Sequence, residues 1–149
     1  MLCFDIMRLR IQPTQRMGIG MKKTTIVEKK LQELLVAQEF SSLSSYQDPD
    51  LWQTMTPRER ELLGTLFVMQ GEHKLKKGDK SALKSFSLAA KLAPKSAKVF
   101  YQKGVAFSTQ DRNLRCLMQA SRAFEKATRL DPTYFDAWFN WAHVLLLAG

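Results

Sequence analysis

His73 and His143 are the side chains best suited to general-base or metal chemistry near neutral pH, and Cys3 and Cys116 are the only thiols. A zinc centre draws three or four such ligands from short paired spacings, and a covalent mechanism needs a nucleophile beside a base. Neither pattern occurs. The cysteines lie far apart, no HExxH is present, and Gly18 and Gly20 in "MGIGMKK" lack the preceding strand that a phosphate-binding loop requires. The residues therefore point to no enzyme, no cofactor and no metal, and the cysteines read as reduced thiols of a cytoplasmic protein.

Charge is the next chemistry available. The net charge is +9, and +8 of it falls within residues 64–149. Lys74, Lys76, Lys77, Lys80, Lys84, Lys91, Lys95, Lys98 and Lys103 form the densest part. Such a surface suits nucleic acid, anionic lipid or an acidic peptide. Against that, Lys80, Lys84 and Lys91 fall on the outer side of an amphipathic helix opposite Phe86 and Ala89, so a solvated face explains them. The arginine forks and free stacking aromatics of base recognition are scarce.

These residues must be positioned by helices. At 149 residues the chain makes one modest domain. No apolar run approaches the ~20 residues of a membrane span, and "MLCFDIMRLRIQ" breaks its apolar start with Asp5, Arg8 and Arg10, so it is no signal peptide. Residues 1–20 show no sustained period and read as a dispensable leader before a second candidate start at Met21. Residues 21–55 read as an amphipathic helix and a polar loop. Thr25 and Glu28 have capping-box spacing, Val27, Leu31, Leu34 and Leu35 share a face, the helix should end near Phe40, and "SSLSSYQDPD" reads as loop. A stronger start is "TPRE", with Thr56 as N-cap, Pro57 in the first turn and Glu59 closing the box; this helix should stop at Gly78 and Asp79.

Compared with itself, the chain repeats. Ala82, Phe86, Ala89, Lys91, Leu92 and Pro94 recur 38 positions later as Ala120, Phe124, Ala127, Arg129, Leu130 and Pro132. Facing helices repeat an aromatic residue four places before a tiny one: Phe67 and Gly71, Phe100 and Gly104, Trp138 and Ala142. A bulky side chain fits a facing helix only where that helix carries little or no side chain, so these pairs predict closely packed antiparallel helices. His73 and His143 occupy nearly equivalent places in this scheme, which makes them a product of repetition.

The pattern over residues 64–149, strongest in "ASRAFEKATRLDP" with "FDAWFNWAHVLLLAG", resembles the tetratricopeptide repeat family, whose unit is a helix-turn-helix of ~34 residues. The resemblance implies an all-α solenoid of stacked antiparallel helix pairs. Residues 56–149 would hold two repeats plus the first helix of a third, behind an N-terminal helical extension. Two departures stand out: residues 108–119 lengthen the turn of the second repeat, and Lys74 stands where Phe107 and Leu145 occur. In the family, first helices line a concave groove for a peptide or partner helix. Carried over, that groove consists of Val68, Glu72, Lys98, Tyr101, Val105, Asp136, Phe139 and His143. The subtype that clamps carboxylates of heat-shock chaperones is not matched: Asn140 fits, but Asp136, Glu72 and Val68 depart from the required set.

The expected function is thus a non-enzymatic protein-interaction module, of scaffold or co-chaperone type. A second reading is a protein similar to the secretion chaperones of bacterial type III systems, and a third is a basic RNA- or DNA-binding helical repeat. The last helix, residues 135–149, is apolar over much of its circumference. That predicts a chain continuing into further repeats, or docking of this face on a second chain, self-association included.

Overall fold

The computed structural model describes residues 25–149, so the expectations for the 1–20 leader lie outside the described residues. Helices begin where a side chain can satisfy the free amide groups of a first turn. Thr56 opens the longest, accepting from the Glu59 amide at 3.2 Å while the Glu59 carboxylate accepts from the Thr56 amide at 2.7 Å, with Pro57 in the first turn. Asp48 and Asn113 cap two others in the same way, through the amides of Asp50 and Cys116. The elements are α1 (Ile26–Ala37), a 3₁₀ helix (Ser41–Tyr46), α2 (Pro49–Thr54), α3 (Pro57–Lys76), α4 (Ala82–Leu92), α5 (Ala97–Gln110), α6 (Leu114–Leu130) and α7 (Phe135–Ala148). Among the described residues there is no strand, as expected for an all-α chain.

Sequence neighbours pack antiparallel. Gly71 of α3 faces the ring of Phe86 in α4, and Gly104 of α5 faces the ring of Phe124 in α6; a β-carbon at either glycine would lie within 2.9 Å of three ring carbons. Both rings are fully buried, and burial of a phenylalanine contributes roughly 1.5–3 kcal/mol. Phe100 of α5 clusters in return with Ala127 of α6, so each helix offers its bulk where the other is small. The glycine sockets expected from the repeat are therefore occupied. α7 packs on α6 through Val144, Leu117 and Phe124, and the indole of Trp141 donates to Ser121 Oγ at 2.9 Å. Alternate helices also touch, α3 with α5 and α5 with α7.

The N-terminal segment departs from this scheme. α1 runs parallel to α3: Thr25 and Glu28 at its start meet Glu59 and Arg58, while Phe40 past its end meets Gln70 and His73. Thr25 accepts from the Glu28 amide at 3.0 Å as expected, but its hydroxyl donates to the Glu59 carboxylate, and the Glu28 carboxylate pairs with Arg58. The local box is thus half formed, and its second half is spent on α3.

Three further expectations are corrected. Residues 41–50 are no polar loop. They hold the 3₁₀ helix and the start of α2, and Leu43, Trp52 and Met55 join the main core, with the Trp52 indole donating to the Tyr46 carbonyl at 2.7 Å. These apolar residues are divided between two short helices broken at residues 47–48, so no single stripe runs through them. Val27 is exposed, so the buried face of α1 is Leu31 and Leu34, and α1 ends at Ala37, three residues before Phe40, on a left-handed Gln38. Finally, the added length of the second unit lies in α6 and not in its turn: α6 has 17 residues and α4 has 11, while only residues 111–113 separate α5 from α6. α3 does stop where expected, on Gly78 with φ of +70°.

Candidate functional site

The eight groove residues lie on α3, α5 and α7, the helices that alternate along the stack. Cross-helix hydrogen bonds tie this row together. Gln102 Nε2 of α5 donates to Glu72 Oε1 of α3 at 3.0 Å, and Asn140 Nδ2 of α7 donates to the Tyr101 hydroxyl of α5 at 3.4 Å. The ring of Tyr101 stacks 4.9 Å from Tyr134 and 5.8 Å from Phe124, which fixes its position.

These contacts sort the candidates. Lys98, Asp136, Phe139 and His143 are exposed, Phe139 at 74%. Glu72, Tyr101 and Val105 are half-buried. Val68 is corrected: at 5% exposure it belongs to the core, beneath a shallow cleft it shares with Thr65, Ser96 and Lys98, because α5 begins directly over it. Sequence reasoning missed Tyr134 and Gln102, which hold the row in register. Tyr134 sits before the first turn of α7, outside any helical stripe, and Gln102 carries no signal of its own.

Burial sets the electrostatics of the two phenols in this row. Burial, followed by the negative charge of Asp136, holds the Tyr101 hydroxyl above its usual range, opposed by the bond from Asn140. Burial, followed by Tyr101 and the neighbouring carboxylates, raises Tyr134 likewise. Both phenols carry their protons at neutral pH, as a tyrosine ordinarily does, and a phenol O–H can donate a hydrogen bond. The row thus presents an apolar side chain, Phe139, with the opposite charges of Lys98 and Asp136. It has no nucleophile placed beside a base.

The lysine surface behaves as expected for a solvated face at Lys80, Lys84 and Lys91, which are exposed while Phe86 and Ala89 are buried. It has one crowded point. Lys126 Nζ stands 4.1 Å from the centre of the Phe100 ring, and burial, followed by the charges of Lys126 and Lys91, holds Lys103 below its usual range. His73 and His143 are both exposed, on different helices. Among the described residues no group of three metal-ligating side chains comes together, and no helix is long and apolar enough to cross a membrane.

No protein-family model matches the chain, and no curated protein matches it either.

Proposed function

We propose that this chain is a tetratricopeptide-type solenoid that works as a protein-interaction module, holding an extended segment or a helix of another protein along the row of α3, α5 and α7. The observation that carries this reading is Phe139: a large aromatic side chain 74% exposed, next in the chain to Asn140, whose side chain donates across to Tyr101 of α5. An aromatic anchor presented on a packed helix is how interfaces concentrate binding energy. The antiparallel pairs with Phe86 on Gly71 and Phe124 on Gly104 support the repeat reading.

The test is a peptide-display selection on the folded chain, followed by affinity measurement of the selected peptides. Phe139→Ala removes an exposed side chain, so binding should weaken about tenfold or more with the melting temperature unchanged. Tyr101→Ala is the weaker probe, because it also removes packing against Phe124 and Tyr134. Peptides that bind Phe139→Ala and wild type equally would place the site elsewhere. Tight capture of random single-stranded RNA, falling steeply between low and physiological salt, would replace this reading with a nucleic-acid one.

A further inference from the structure

Lys103 follows Tyr101 by two residues, a turn of about 200° around α5, so it faces away from the row formed by α3, α5 and α7. On that side α5 is held by two other helices. Val99 and Ala106 join the core with α4, and Gly104 receives Phe124 of α6, so Lys103 lies between the two contacts on the helix surface. One turn earlier, Phe100 clusters with Ala127 of α6, and Ala90 of α4 packs against the same cluster. The residues next to those alanines are Lys126 and Lys91. Three helices thus bring one lysine each to one place, with Lys103 half-buried and the other two exposed.

Charge at this place is unbalanced. Lys126 Nζ stands over the Phe100 ring at 4.1 Å, and Lys103 Nζ lies 5.9 Å from the centre of the Phe107 ring. A ring face attracts an ammonium but brings no net negative charge. Among the described residues none of the three lysines forms an ion pair, and Glu125, next to Lys126, is taken by Arg129 at 2.6 Å. Burial and the charges of Lys126 and Lys91 accordingly push the Lys103 ammonium below its usual range. Like charges held together at a half-buried position destabilise the fold, and an anion among them relieves it.

We propose that Lys91, Lys103 and Lys126 form a binding site for a phosphate dianion, either free or as a phosphorylated side chain of another protein. A single carboxylate would leave two of the three charges unmatched, and so would a phosphodiester of nucleic acid. A phosphate monoester carries about two charges and three strong acceptor oxygens, one for each ammonium. Lysine suits such a site, because its compact charge on a flexible stem can close on a phosphate from different sides. The site lies apart from the α3, α5 and α7 row, so either can fail without the other.

The probe is inorganic phosphate, titrated into the isotope-labelled full chain at constant ionic strength. Amide resonances around Lys91, Lys103 and Lys126 should shift and saturate, while those around the exposed Lys80 and Lys84 stay in place. Lys103→Met should weaken binding about tenfold or more and should also raise the melting temperature without phosphate, because it removes a crowded charge. A lysine kept only for packing would lower it. Lys84→Met, on the solvated face of α4, should change neither. A short phosphoserine peptide separates the two sources: binding tighter than inorganic phosphate, and lost without the phosphoryl group, assigns the site to a partner's phosphorylated segment, whereas equal or weaker binding assigns it to free phosphate. Absence of saturable shifts, shifts spread evenly over the lysine surface, or equal affinity in Lys103→Met would each overturn the proposal.

Discussion

The ring of Phe124 lies so close over Gly104 that a β-carbon there would meet Phe124 Cε1 at 2.6 Å, and Phe86 stands on Gly71 in the same way at 2.7 Å. Glycine is present here for space, not for backbone freedom. In an exposed helix interior, alanine would gain about 1 kcal/mol over glycine. At Gly104 and Gly71 that gain meets a fully buried ring with nowhere to turn, and overpacking costs about 1–3 kcal/mol. We expect Gly104→Ala to lower the stability measured by urea unfolding by up to about 2 kcal/mol, the overpacking cost less the helix gain. Adding Phe124→Leu should recover part of the loss, a non-additivity that a double-mutant cycle would read directly.

Gly64 predicts the opposite sign. A β-carbon there would meet Ala93 and Leu92 side chains at 3.6 Å, ordinary contact distance, inside the regular helix α3. Gly64→Ala should therefore raise stability by about 0.5–1 kcal/mol in the same urea assay.

Glu59 links stability to pH. The hydroxyl of Thr25 is the largest cause holding its carboxyl below the usual 4.5, with burial opposing and the Thr56 amide and hydroxyl assisting. A depressed folded-state value means that the contribution is fully present above that usual value and is lost as pH falls through the lowered one. Glu59→Gln should cost about 1 kcal/mol at neutral pH through the lost cap, and should flatten the fall of melting temperature below about pH 4.5. Thr25→Val should move the acid transition of the intact protein to higher pH.

Ser85 and Gln70 form the one buried side-chain hydrogen bond between α3 and α4 among the described residues, Ser85 Oγ donating to Gln70 Oε1 at 2.7 Å; Gln70 Nε2 in turn donates to the Phe40 carbonyl at 3.3 Å. Ser85→Ala strands a buried acceptor and should cost about 1–3 kcal/mol. Hydrogen exchange should then speed up in two places, at the α3–α4 contact and around Phe40, if the relay is a single unit.

Much of this was legible in the residue order. The Thr56 box, the stop at Gly78 and the two aromatic-glycine pairs are local or periodic signals, and local signals survive into the structure when nothing outbids them. What stayed hidden was decided between segments. Thr25 and Glu28 looked self-sufficient until α3 offered Glu59 and Arg58 within reach. Leu43, Trp52 and Met55 are spaced for no regular stripe, yet each finds a gap against the core. Val68 was assigned to the surface by its position in the repeat, and the start of α5 covers it. Tyr134 was invisible as a site residue, because only the return of α7 brings it to Tyr101.

The parallel clasp of α1 on α3 gives the first and the last described helices unlike outer faces. At one, Leu31 and Leu34 are buried, and α1 turns Lys29, Lys30 and Glu33 outward beside an exposed Val36. At the other, α7 exposes Ala142 and Leu145 beside a Trp138 whose indole donates to the Pro132 carbonyl at 3.0 Å. Head-to-tail addition of copies through these two helices would need α1 to fill the outer face of α7, and a helix with charged outer residues fits that face poorly. Among the described residues, then, α1 offers no counterpart to the α7 face, and growth of copies through these two helices is disfavoured.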